Sequence, residues 1–228
     1  MGDFFSSEGP LIGFLQKIGM LIVLSVLFIL CSLPVVTMGA AASALYYAVA
    51  KSIRRERGYP TKEFFKAFKR NLKNGTVLTV IFGGIAALIL YNREVLWQAS
   101  AGESGTLSRI MMGSPDGGAL TLYIIYDGIL IFLAMLAVYL FPVLSRFAMK
   151  LSDIVKLSFV MSLRFFYFTI PLIVGIGILL YLQWKVLPMP TALLLPGGWT
   201  YISSFPLEKA MKKYIPAPKE GEDAWYLE

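Results

Sequence analysis

Apolar residues along this 228-residue chain fall in long runs, not in alternating pairs. Six stretches carry few charges: residues 11–33, 39–52, 76–91, 120–143, 166–184 and 191–207. They read as helices that cross a bilayer, whose core of about 30 Å takes about 20 helical residues. Gly9-Pro10 opens the first, Pro34 closes it, and residues 35–38 make a short turn into the second. The third extends toward Trp97, a Gly- and Ser-rich loop covers 99–118, and Pro196-Gly197-Gly198 interrupts the sixth. Residues 1–215 then form one membrane domain, and 216–228 a flexible cytoplasmic tail.

Charge orients the spans. Six crossings put both termini on one side, and 18 of the 21 Lys and Arg residues then share that side, leaving Arg93, Arg109 and Lys185 on the other. Such asymmetry predicts cytoplasmic termini in a bacterial inner membrane. It also accounts for the net charge of +7 through the anionic inner leaflet, with no nucleic acid partner. Small residues at 39–44 resemble a leader cleavage site, yet the leader would be long and Asp3 and Glu8 stand where basic residues belong, so the first span is expected to be retained. Met1-Gly2 with Ser6 matches a myristoylation pattern, but an acyl anchor adds little beside six spans.

Two segments between spans are amphipathic. In 61–73, Phe64, Phe65, Phe68 and Leu72 share a helical face, with Lys62, Lys66, Lys69, Arg70 and Lys73 around it. This predicts a helix lying in the inner interface, broken at Asn74-Gly75, and a candidate surface for docking membrane or partner. From Ser152, a plausible N-cap, Leu151, Ile154, Val155 and Phe159 form a similar face. At an offset of 91, Phe68 meets Phe159, Leu72 meets Leu163, Gly84 meets Gly175 and Leu88 meets Leu179. The pattern suggests a parallel internal repeat, an arrangement found in proteins that move solutes. The expected fold is an all-α membrane protein, a bundle of about six transmembrane helices with two cytoplasmic-side amphipathic helices.

Ala40, Ala44 and Ala48, and likewise Gly83 and Ala87, stand four residues apart and read as close-packing faces. Tyr91, Trp97, Tyr181 and Trp184 sit where an aromatic belt would. Asp127 is the one acid well inside an expected span, so it is either a functional intramembrane charge or a group near the outer interface. Any partner comes from another span, with Arg93 and Lys185 in range.

Composition bounds the chemistry. With 57% hydrophobic and 15% charged residues, the chain departs from the roughly 45–50% and 25% of soluble domains. It has no histidine and one cysteine, Cys31, so serine–histidine catalysis, cysteine-rich metal sites and internal disulfides have no residues to use. No Walker sequence, dinucleotide fingerprint or nucleophile elbow occurs. Neither an enzyme nor a cofactor is expected.

The stretch Cys31-Ser32-Leu33-Pro34-Val35-Val36-Thr37-Met38-Gly39-Ala40-Ala41, continued by Ala44-Leu45-Tyr46-Tyr47, resembles the YesL-like family of bacterial membrane proteins. Leu33, Pro34, Thr37 and Gly39 form its signature, read here as a turn in which Thr37 satisfies freed backbone groups or caps the second span. The resemblance implies an accessory role in carbohydrate uptake beside an ABC-type importer. A second reading is a self-contained transporter or channel with a pathway between the repeats and Asp127 as its coupling charge. A third is a protein that organises lipid or envelope.

Overall fold

Proline opens two helices, α1 (Pro10–Cys31) and, beyond the next helix, α3 (Pro60–Ala101), at positions where a missing N–H costs no hydrogen bond. Between them α2 (Met38–Ala48) is prolonged by one wider turn, Val49–Ile53. There follow α4 (Gly117–Arg146), α5 (Leu151–Arg164), α6 (Phe166–Lys185) and α7 (Leu195–Met211). The computed structural model describes residues 10–101, 117–147, 149–185 and 189–214, and no strand occurs among them. Of the loop expected at 99–118, residues 99–101 and 117–118 are helical instead, and 102–116 lie outside the described residues, as does the tail at 216–228.

Four helical segments are long and apolar enough to cross a membrane: Ile12–Cys31, Pro60–Leu96, Thr121–Arg146 and Phe166–Lys185. The second and sixth expected spans are not among them. α2 has only 11 residues, and Gly39 to Ala50 are buried save for a partly open Ala42. A helix enclosed by protein is apolar all round, which is why hydropathy alone reads it as a span. α7 buries Ser203, Ser204 and Glu208 among its core residues. By contrast α1, the second half of α3 and α6 expose large apolar side chains such as Val23, Leu88, Ile178 and Trp184. Such exposed apolar surfaces suggest a lipid environment.

α2 is the axis of the fold and lies antiparallel to the first half of α3. Their register is fixed by three polar ties: Lys51 Nζ to Glu63 Oε1 at 3.1 Å, Asn71 Nδ2 donating to Ser43 Oγ at 3.2 Å, and Gly39 N–H donating to Thr79 Oγ1 at 2.9 Å. The facing stripe of α3 is Phe64, Ala67, Asn71, Gly75 and Leu78, all buried. Gly75 sets the separation. A Cβ there would fall 2.6 Å from the Ala40 nitrogen and 2.7 Å from its Cα. The alanine row behaves as expected, with Ala40, Ala44 and Ala48 fully buried.

Several expectations change here. Asn74-Gly75 does not break the helix: α3 runs through it unbroken, because the glycine serves close packing and not a turn. Residues 61–73 are therefore the first part of a 42-residue helix, not a separate interfacial one. The chain instead interrupts at Phe165, between α5 and α6, which lies 91 residues after Asn74. α5 begins at Leu151 with Lys150 as its N-cap, so Ser152 is inside the first turn. Gly83 and Ala87 are exposed, with nothing near Gly83 inside the chain, so that pair packs no helix of this chain. α3 and α5 begin 91 residues apart, at Pro60 and Leu151.

Candidate functional site

The sites singled out in the sequence are distributed over three places. At the α1–α2 turn, Leu33, Val35, Val36 and Met38 are exposed, while Gly39 is buried. Thr37 ties this turn together: its hydroxyl donates to Cys31 O at 2.6 Å and lies 2.8 Å from Pro34 O. It makes no side-chain cap on α2, so of its two expected roles it takes the first. Thr79 Oγ1 completes the arrangement, receiving the Gly39 N–H and donating to Gly75 O at 2.8 Å. The turn is apolar outside and hydrogen-bonded within.

On the basic half of α3, Lys62, Lys66, Lys69 and Lys73 are exposed along the face opposite α2. Phe64 is fully buried and belongs to the core, stacked at 6.2 Å on a half-buried Phe68; only Phe65 among the three rings faces outward. Arg70 turns back into the protein: it donates to Ser145 O at 2.8 Å and lies 5.0 Å over the Tyr47 ring. At the far end of α3, Arg93 Nε donates to Asp127 Oδ1 at 3.0 Å, and both side chains are about half exposed, at 46% and 50%. Asp127 thus finds one of its two expected partners. The pair sits near the ends of the apolar segments Pro60–Leu96 and Thr121–Arg146.

The densest polar group was missed in the sequence. Glu208, on α7, is buried and receives three arginines from two other elements. Arg54 Nη1 donates to Oε2 at 3.0 Å, Arg55 Nη2 lies 2.9 Å from Oε2, and Arg146 Nη2 pairs with Oε1. Arg54 also donates to Ser204 O at 2.9 Å and stacks 4.3 Å over the Phe205 ring. Arg54 and Arg55 follow the wide turn that ends α2, and Arg146 is the last residue of α4. Three chain segments thus meet at one carboxylate. A cavity of about 460 Å³ opens beside them, with Phe168, Phe205, Lys209 and Lys212 also on its wall. Among the described residues, five cations and one anion line it. The sequence held one clue: Glu208 directly follows the last apolar stretch, Arg54 and Arg55 follow the second, and Arg146 follows the fourth.

Two smaller features complete the basic end. Lys17 pairs with Glu56 at 2.7 Å, which ties α1 to the loop after α2. That hydrogen bond holds the Glu56 carboxyl below its usual range. α7 is seated on α1 by Gly197, whose N–H donates to Ser25 Oγ at 2.8 Å.

Residues 20–93 match a family model described as a protein of unknown function, DUF624. The match runs from α1 through the Leu33–Gly39 turn and α2 to Arg93 on α3. YesL-like proteins contain this domain. No curated protein matches the chain. No solved structure matches it either.

Proposed function

We propose that this is a non-enzymatic accessory protein of the bacterial inner membrane, holding a basic helix face at the cytoplasmic surface for partners of a carbohydrate uptake system. The observation that carries the reading is the register of α2 on α3. Lys62, Lys66, Lys69 and Lys73 are exposed, so this half of α3 belongs in headgroups or water. The following residues, 80–91, expose mostly apolar side chains and belong in lipid. α2 begins at the level of Thr79, and from there α3 runs about 21 Å to Arg93, less than the roughly 30 Å of a hydrocarbon core.

The same register supports a specific membrane placement. α1 and α2 form a re-entrant hairpin that enters from the cytoplasmic side and turns at Leu33–Gly39 inside the inner half of the bilayer. Were α1 to cross completely, the lysines of α3 would lie in hydrocarbon and its apolar half in water. The exposed apolar turn and the hydrogen bonds that Thr37 and Thr79 make to its backbone support the placement, since irregular backbone at membrane depth needs partners within the protein. The N-terminus and the lysines of α3 then stay cytoplasmic, and Glu208, which meets Arg54 and Arg146, brings the C-terminal end of α7 back to the same side.

Association with sugar import rests on the YesL-like resemblance alone. The test is recovery of partners from native membranes, by pull-down and mass spectrometry, with Lys62, Lys66, Lys69 and Lys73 changed to Gln. Arg70 is left intact because it holds α3 to α4. Loss of the co-purifying importer supports the docking face; unchanged recovery rejects it. Solute flux by the purified protein alone in liposomes would overturn the accessory reading in favour of a transporter.

A further inference from the structure

We infer that α6 pivots at Phe165, swinging toward α4 and α7 to close the space between them, with Tyr139 and Thr169 as the latch of the pivot. One residue separates α5 from α6. Phe165 stands between Arg164 and Phe166 at φ −113° and ψ 31°, against about −63° and −42° in a helix. Sharp breaks in helices come from proline, glycine, a wide turn, or a side chain inserted into the hydrogen-bond ladder. Residues 160–168 hold no glycine or proline. A pair of hydroxyls enters the ladder instead. Tyr139 Oη, from α4, lies 3.4 Å from Phe165 O and 3.1 Å from Thr169 Oγ1, which itself lies 3.1 Å from Phe165 O. Tyr139 and Thr169 are fully buried. The break is thus held by tertiary contacts that can be made or lost, at the kind of helix-terminal residue where hinges form.

Beyond the pivot α6 is loosely seated. Pro171 supplies no N–H for Tyr167 O, which makes the helix pliant just past the break. Phe168 is on the wall of the cavity of about 460 Å³ beside Glu208. Leu172 and Ile176 line a second cavity, of about 210 Å³, shared with Val138 and Pro142 of α4 and Trp199 and Leu207 of α7. Close-packed helices leave few voids larger than a water molecule, so α6 has room to move inward at both levels. It leans on α7 at Gly175, where a Cβ would fall 2.7 Å from the tip of the Trp199 ring. Its outward side exposes Tyr167, Ile170, Val174 and Ile178 and is free to follow.

The lever is long. From Phe165 to Tyr181 α6 measures about 24 Å, so a change of about 20°, the size of an ordinary kink, carries its far end about 8 Å.

The test measures spin–spin distances in the full-length protein in lipid nanodiscs, in a Cys31→Ser background. Labels at Tyr181→Cys and Ile124→Cys, both at exposed positions, report across the pivot. Labels at Leu88→Cys and Ile124→Cys, on α3 and α4, do not cross it and serve as the control. The first pair should show two distances about 8 Å apart, and the control one. Tyr139→Phe with Thr169→Val keeps the size of both side chains, removes both hydroxyls, and should shift the balance away from the form described. Ala137→Leu fills part of the smaller cavity and should leave the described form alone. A single distance across the pivot in the wild type and the double variant alike overturns the proposal. So do two distances that neither substitution alters, or an equal broadening of the control pair, which would mean general loosening.

Discussion

The contact of α2 with α3 makes a prediction with a built-in control. At Gly75 an added Cβ would sit 2.6, 2.7 and 2.9 Å from the Ala40 N, Cα and Cβ atoms. Ordinary carbon contacts are about 3.5–4.0 Å, so the helices must part by about 1 Å. Two of those atoms are backbone and cannot rotate away. Overpacking of this kind costs about 1–3 kcal/mol, and a clash against backbone belongs at the upper end. Separation would also loosen the Gly39–Thr79 hydrogen bond. Against this, alanine is favoured over glycine inside a helix by about 1 kcal/mol. The net loss for Gly75→Ala is about 2 kcal/mol, and at about 2–4 °C per kcal/mol for a chain of this size it lowers Tm by roughly 4–8 °C. Gly84 lies on the same helix with nothing within 4 Å of a Cβ. There the propensity gain stands alone, and Gly84→Ala should raise Tm by about 2–4 °C. Thermal unfolding of the two variants, purified in one detergent, compares them directly. Equal rises in both would refute the close approach.

Three further outcomes follow from the polar contacts. Glu208→Ala removes the carboxylate that three arginines share and should cost about 3–5 kcal/mol, read as a fall in Tm of at least about 6 °C; a change under 2 °C would mean that other contacts hold the arginines. Thr37→Val removes a hydroxyl tied to the α1–α2 turn and should cost about 1–2 kcal/mol, again by thermal unfolding, whereas an unchanged Tm would show the turn to be held by packing alone. Arg93→Gln with Asp127→Asn replaces a half-exposed pair and should move stability by less than about 1 kcal/mol; a larger effect would place the pair in hydrocarbon, not at its edge.

Much of the fold is legible in the sequence because hydropathy reports burial from water. The apolar segments of α1, α3, α4 and α6 fall where the runs predict. The aromatic residues Tyr91, Tyr181 and Trp184 are exposed toward helix ends, as a belt requires, while the side chain of Trp97 lies outside the described residues. What hydropathy lacks is depth and neighbours. It cannot separate a helix wrapped by protein, such as α2, from one wrapped by lipid. Asn74-Gly75 looks like a break because glycine serves turns and close contacts alike, and only Ala40 across the interface decides between them. The basic face of α3 was half legible: the four lysines are exposed, but Phe64 packs in the core on Phe68, and the guanidinium of Arg70 reaches back to Tyr47 and Ser145 on other helices. The Glu208 cluster was scarcely legible, since its arginines stand 62 to 154 positions from Glu208 and meet it only when three helix ends converge.

The re-entrant placement of α1 and α2 can be measured at the chain's only cysteine, Cys31, which lies at the end of α1. Val35→Cys in a Cys31→Ser background supplies a second, more exposed position in the same turn. With an environment-sensitive label at either site, quenching by lipids carrying spin labels at graded depths should be strongest within the acyl region of the inner leaflet. Both thiols should also resist a membrane-impermeant maleimide added outside intact cells. Rapid modification from outside would put the turn at the far surface, make α1 a complete crossing, and contradict the account.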